Sequence, residues 1–424
     1  MEREINFGIG FVTGRSNVCK IINSYYNDVI EQFESYDAKI NLTFFIMYDL
    51  SYNYTKRTDF YSLIPDIYRK NIHIKYISPE DIEDDKKYLQ GHFGISKDDT
   101  ELFLGAGHAK GRNTVMYYAL KKKMDYLLFW DDDEYPLACI KENNGKITWI
   151  KQRNVVSHLE YLEKENADVT RGYHCGYISP IPAIKYDEKI SEKDFKDFIE
   201  ACGNEAVNWE NIKERFEKDN GVTFADREIA EGKGAFELLE TETEKKWVAG
   251  STLGLNLKHL DKIPAFYNPP GARGEDTFFS VGLTNSKVMR IPVYHFHDGF
   301  LKYREIMNGH MPRKLKLIES GDDVEVEKRF LKVSTGWIKY KPLYMYIMDK
   351  ENYEEKIKDA KVKLSRSIKK ISNLFENGGF AKLPQILSDY DEDVEEHYQE
   401  FLETNRIWND IKKVFIEERE NGEK

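Results

Sequence analysis

The chain reads as an α/β protein, with a mostly parallel, doubly wound central sheet flanked by helices and a helical carboxyl-terminal region. Strand-length apolar runs alternate with helix-period segments through the first half, and only charged helical patterns follow from about Leu331. A third observation says where such a sheet would carry chemistry. The apolar strand Tyr126 to Trp130 runs straight into four carboxylates, Asp131, Asp132, Asp133 and Glu134, within FWDDDEYP, and open α/β sheets bind ligands beyond their strand ends.

The elements follow in order. Ile5 to Val12 predicts a buried strand, Gly14 to Asn17 a turn and Ile21 to Phe33 a helix. Leu42 to Tyr48 predicts a second strand ending at Asp49, and Ile72 to Ile77 a third beyond a polar, aromatic-rich connection. A long loop rich in Asp and Gly is expected before Gly105. Val115, Met116, Ala119 and Leu120 then recur at helical spacing within His108 to Met124, with Lys121 to Lys123 suited to the helix end. After the acidic strand come a helix near Val155 to Glu165 and a strand near Val169 to Ile178. The charged segment 183–246 reads as an insertion or lid, with amphipathic pieces at Phe195 to Ile199 and Trp209 to Phe216. Trp247 to Leu257 and Val288 to Phe296 are strand-like, and Glu351 to Phe375 and Asp391 to Glu417 are helical. The expected division is a catalytic domain over 1–325 and a helical region over 326–424.

Composition narrows the function. With 424 residues, 41% of them hydrophobic, the chain can bury a sizeable core. Its 63 basic and 74 acidic residues give a net charge of −11, which argues against a nucleic-acid partner held by phosphate neutralisation. No apolar run is long enough to span a bilayer and the first residues, MEREINFG, do not form a signal peptide. The expectation is a cytoplasmic protein, with contact at the inner face of a membrane left open. Cys19, Cys139, Cys175 and Cys202 form no CxxC pair, so buried free thiols are expected. The sequons at Asn41 and Asn53 then carry no meaning.

Four adjacent carboxylates repel one another, and a divalent cation turns repulsion into ligation, with Mg²⁺ or Mn²⁺ favouring such oxygen donors. The plainer alternative is an acidic turn that solubilises a strand end. Other candidates sit at element ends. Arg112 and Asn113 open a helix, where an arginine can clamp phosphate, although on these residues alone capping and solubilising the helix is the simpler reading. Glu275 and Asp276 precede an apolar helix after a Pro-Gly loop; one could act as a general base, or both could complement the helix dipole. His295 and His297 lie at period two on one strand face, plausible as a metal ligand and its orienting partner. Asp49 is a ligand acceptor or a turn former.

The order of these motifs resembles the GT-A fold glycosyltransferases, specifically the family-2-like inverting group, over about residues 4 to 300. Gly8 to Asn17, with Thr13 and Arg15, matches that group's nucleotide-binding strand and turn; FIMYDLS at Phe45 to Ser51 resembles its second strand, whose aspartate reaches the nucleotide. GRNTVMYYA at Gly111 to Ala119 resembles its ARN-type helix start, AGSTLGLNL at Ala249 to Leu257 its acceptor-side strand, and GED at Gly274 to Asp276 its xED motif. The resemblance aligns Asp131 and Asp133 with the DxD metal motif, with Asp132 between them. It implies a Rossmann-like sheet, a Mn²⁺ or Mg²⁺ ion on Asp131 and Asp133 with His295 or His297, and Asp276 as the catalytic base. It further implies a nucleotide diphosphate sugar donor contacted by Thr13, Arg15, Asp49, Arg112, Asn113, Asp131 and Asp132. The acceptor would be a carbohydrate, lipid-linked or other hydroxyl. The QxxRW signature of processive synthases is missing after xED. Segment 183–246, with Trp209 and Trp247, is the candidate lid and acceptor wall, or else a stability element. The carboxyl-terminal helices are candidates for oligomerisation or lipid docking, with a solvated bundle the simplest reading. The alternatives to inverting transfer are a retaining GT-A enzyme and a non-catalytic assembly protein.

Overall fold

A nine-stranded mixed sheet forms the centre of the protein. It is seen in a computed structural model that describes residues 3–50, 56–58, 72–203, 207–239 and 246–422. Strands β1 (Glu4–Thr13), β2 (Lys39–Tyr48), β3 (His73–Ile77) and β4 (Tyr126–Phe129) are parallel in the order β3-β2-β1-β4, as the alternating pattern predicts. Beyond β4 the sheet becomes mixed. Strands β5 (Glu134–Tyr135), β8 (Val169–Tyr177), β10 (Leu253–Asn256) and β11 (Val288–Asp298) complete the path β4-β10-β8-β11-β5. Here β10 is antiparallel to both neighbours and β11 runs parallel to β8. The short β9 (Phe236–Leu238) flanks β11.

Strand β1 shows how its residues position the site. Phe7, Ile9 and Phe11 point into one core layer, against Val18, Ile21 and Ile22 of the helix Val18–Glu34. The alternate positions are Gly8 and Gly10. A Cβ on Gly10 would stand 2.6 Å from Val115, and one on Gly111 would stand 2.5 Å from Val12. Two missing side chains thus let the helix His108–Lys121 lie close on β1, which sets Arg112 beside the end of β4.

Three expectations need correction. The long loop before Gly105 contains two helices, Pro79–Phe93 and Lys97–Phe103. Ser78 and Asp81 form a capping box, Pro79 sits at the first position and Gly94 ends the helix in the left-handed region. Of the acidic residues that suggest a loop, Glu80, Glu83 and Asp84 face solvent, whereas Asp85 is buried and pairs with Lys121. A hairpin, β6 (Leu137–Lys141) with β7 (Ile147–Lys151), follows the acidic turn and was not anticipated; Asn144 and Gly145 are its turn signal.

The third correction concerns the insertion and the carboxyl-terminal region. The insertion helices Glu192–Cys202 and Trp209–Asp219 share one core with Val324–Met348 and Tyr353–Leu374, Phe198 packing on Phe330 and Phe380. Trp209 is 5% exposed, so it offers no face to a sugar. The last helix, Val394–Gly422, returns to the sheet layer: Trp408 stacks on Phe103 and its indole nitrogen donates to the Ile263 carbonyl at 2.8 Å. It is therefore part of the sheet domain's core rather than a free solvated bundle. All four cysteines are free and buried, as expected. Among the described residues no helix is long and apolar enough to cross a membrane. The connection before Ile72 lies mostly outside the described residues, as do 204–206 and 240–245 of the insertion.

Candidate functional site

Strands β1 and β4 are neighbours whose chains leave the sheet on opposite sides, β1 towards β2 and β4 towards β10. That is a switch point, where open α/β sheets form a crevice. The carboxyl ends of these strands carry Thr13, Arg15 and Asp131 to Asp133, and all five line a cavity of about 130 Å³ together with Asp49.

The carboxylates of the acidic turn face different partners. Asp131 is 35% exposed and accepts from Arg112 Nη2 at 3.0 Å. Burial of its surroundings raises its pKa to about 7 despite Arg112, with Glu134, Asp133 and Asp132 adding to the rise. Asp132 is buried, accepts from the Thr13 hydroxyl and pairs with Arg15, while Asn17 Nδ2 donates to its carbonyl at 2.9 Å. Asp133 lies 2.9 Å from Arg15 Nη1, 3.7 Å from Arg329 Nη2 and 3.9 Å from His297 Nε2. Burial opposes its ionisation, but Arg15 and then His297 outweigh burial and lower its pKa.

Glu134 turns away from the crevice. Its carboxylate accepts from Ser251 Oγ at 2.6 Å and meets His174 Nε2 and His295 Nδ1, each at 3.1 Å. Burial would raise its pKa, yet these partners hold it well below the usual carboxylate range. His295 is fully buried beside Trp130, at a ring separation of 5.2 Å, so of the two histidines His297 is the one at the acidic crevice. His297 Nδ1 lies 3.0 Å from the Ile178 carbonyl, which can only accept. Nε2 then faces the Asp133 carboxylate as a second acceptor. The imidazole and carboxylate donors suit a divalent cation. Among the described residues no three such groups are already gathered into a ligand set.

Arg112 lines the acidic cavity and Asn113 the adjoining one of about 630 Å³, and both are also engaged by the protein itself. The Arg112 guanidinium lies over Phe129 and donates to Asp131, to the Gly250 carbonyl at 2.6 Å and to Glu275 at 3.4 Å, so protein acceptors occupy the groups that would clamp phosphate. Asn113 is 1% exposed and exchanges two 2.9 Å hydrogen bonds with the Phe266 backbone. Both hold the site together from beneath. Glu275 and Asp276 also divide. Glu275 lines the cavity, while Asp276 turns to the Gly250 and Thr277 amides at 3.3 and 2.9 Å. Burial and then Glu275 raise the Asp276 pKa to about 6, against Arg112. Gly274, at φ +92°, starts this helix, and a Cβ there would stand 2.7 Å from the Tyr340 ring of the carboxyl-terminal region.

Four participants escaped the sequence reading. His174 was detectable in principle, because its strand pairs in register with β11, placing it opposite His295. Ser251 sits in the AGST stretch and reaches Glu134. Arg329 arrives from the helix Val324–Met348, and no local pattern announces it. Arg273 lines both the acidic cavity and an adjoining one of about 630 Å³. Asp49 lines both as well, where a bound molecule could reach it.

Fold and site define an α/β protein with an acidic crevice at the sheet's switch point and an adjoining cavity walled on one side by carboxyl-terminal helices. No family model and no curated protein matches the chain.

Proposed function

We propose that this chain is a metal-dependent glycosyltransferase, moving a sugar from a nucleotide diphosphate sugar to a hydroxyl acceptor with inversion. The observation that carries this reading is the joining of two acidic motifs, far apart in sequence, by one buried guanidinium: Arg112 reaches Asp131 at 3.0 Å and Glu275 at 3.4 Å. A glycosyl transfer needs a charged diphosphate end and a proton-accepting end within one sugar's reach, and the two motifs supply these. Asp133 and His297, with Asp131, would hold Mn²⁺ or Mg²⁺, which supplies Lewis-acid charge to a leaving diphosphate.

The chain's own residues divide the remaining work. Asp276, with its pKa raised to about 6, is ionised near neutrality and basic enough to take a hydroxyl proton, so it serves as general base. Glu275 is committed to Arg112 and positions the pair. Arg273, on the wall shared by both cavities, takes the phosphate-facing role that sequence position suggests for Arg112. Asp49 and Thr13 border the same space and fit contacts to the nucleotide.

One observation favours the non-catalytic reading. Arg15, Arg112 and Arg329 already meet the turn's carboxylates, so charge repulsion alone does not require a metal. Thermal shift with UDP, GDP, CMP and dTDP sugars, with and without Mn²⁺, decides between them. A metal-dependent rise with one donor, lost in Asp133→Ala, supports the transferase; silence of every donor and of the metal alone sinks it. In the active case Asp276→Asn should lower transfer by about 10²- to 10⁴-fold while the donor shift survives. Loss of both would make Asp276 structural.

A further inference from the structure

The segment that leaves β11 concentrates positive charge in an acidic chain. Lys302 to Leu317 carries five Lys or Arg residues and one acid, Glu305, whereas the whole chain has net charge −11. Its shape is fixed from inside. Asp298, fully buried, accepts from the Lys302 and Tyr303 amides at 2.9 and 2.7 Å. Further along, Trp149 Nε1 donates to the Pro312 carbonyl at 2.8 Å, Tyr177 Oη donates to the Lys316 carbonyl at 2.6 Å, and the Lys316 amide donates to Tyr303 Oη at 3.0 Å.

Between those two anchors Leu315 packs inward on the core. Arg313, Lys314 and Lys316 point outward and form no ion pair among the described residues, and Arg304 is likewise exposed. The arch also displays apolar side chains: Met311 is 36% exposed and Leu317 is 38% exposed.

We propose that this arch docks the protein on an anionic lipid surface. The cations match lipid phosphates, and Met311 and Leu317 supply shallow apolar insertion, which a nucleic-acid backbone or an acidic peptide would leave unused. The contact is peripheral, since no described helix can span a bilayer. Neither Asp133 nor Asp276 takes part in it.

Co-sedimentation of the full chain with vesicles tests this directly. Binding is expected with phosphatidylcholine–phosphatidylglycerol vesicles, not with phosphatidylcholine alone, and should weaken steeply with salt. The triple variant Arg313→Gln, Lys314→Gln, Lys316→Gln should lower partitioning by about a hundredfold, at roughly 1 kcal/mol per cation. Met311→Ser with Leu317→Ser should lower it without changing the salt dependence. Unchanged melting temperatures would show that both variants fold, as expected for exposed positions. No binding to the anionic vesicles, equal binding to the neutral ones, or an unaffected triple variant would overturn the proposal. So would binding to a soluble polyanion such as heparin that exceeds vesicle binding and needs the same cations.

Discussion

Asp133 and Glu134 are adjacent carboxylates that the fold treats in opposite ways. Asp133 looks into the crevice, within reach of Arg15, Arg329 and His297. Glu134 looks into the core, gripped by Ser251, His174 and His295. The partner histidines sort in the same way, with His297 at the crevice and His295 fully buried beside Trp130. Identical chemistry therefore serves two ends. The partners of Asp133 border the crevice, whereas Glu134 is locked between two rings and a hydroxyl. The buried half holds the turn still and leaves the other half facing the crevice.

Removing each carboxylate should separate these roles. Glu134→Ala leaves His174, His295 and Ser251 without their shared acceptor, and should cost about 3–5 kcal/mol in denaturant unfolding. Asp133→Ala should cost far less, because Arg15 keeps Asp132. Equal costs would break the comparison. The pH dependence follows with a definite sign. The folded-state pKa of Glu134 is depressed, so its contribution is present above the ordinary carboxylate range and lost as pH falls through the lower folded value. The acid limb of the stability curve should flatten in Glu134→Ala.

Arg112 tests whether the crevice is one unit. Its guanidinium is buried and binds Asp131, Glu275 and the Gly250 carbonyl. Arg112→Ala should cost about 3 kcal/mol or more by leaving carboxylates without their cation. In a double-mutant cycle with Asp131→Asn the two losses should not add, whereas strict additivity would mean that the motifs merely lie near each other.

The histidines give a smaller effect. His297→Ala should lower Mn²⁺ affinity while leaving the melting temperature nearly unchanged, and His295→Ala should do the reverse, read by metal titration and thermal unfolding together. A metal defect in His295→Ala alone would reverse the assignment of the pair.

What the sequence revealed of this arrangement depended on the range of each interaction. The parallel strands and the acidic turn were legible because their signals are local: Leu127, Leu128 and Phe129 followed by four carboxylates need no partner to be read. Period two placed His295 and His297 on one face but could not say which would be covered, since Trp130 comes from another strand. The protein partners of Arg112 and Asn113 were hidden for a related reason. Their acceptors, Gly250, Glu275 and Phe266, lie more than 130 residues away, so only the closed fold shows them occupied. Composition misled outright at 79–103, where the acidic residues of two capped helices looked like a loop.

The finest test concerns the other acidic pair, Glu275 and Asp276, in which Glu275 lines the cavity and Asp276 accepts from the Gly250 and Thr277 amides. Asp276 titrates at about 6 because of burial and the charge of Glu275 beside it, opposed by Arg112. If Asp276 is the proposed general base it must be ionised, so transfer should rise with pH through about 6 and then level off. Glu275→Gln removes the neighbouring negative charge while keeping a hydrogen-bonding oxygen for Arg112. Asp276 then ionises more easily, and the rising limb should move to lower pH with the plateau lowered only modestly. If Glu275 were itself the base, the same substitution would abolish the plateau instead, and Asp276→Asn would leave the limb in place. A limb that moves without disappearing is the outcome expected only when one carboxylate reacts and its neighbour tunes it.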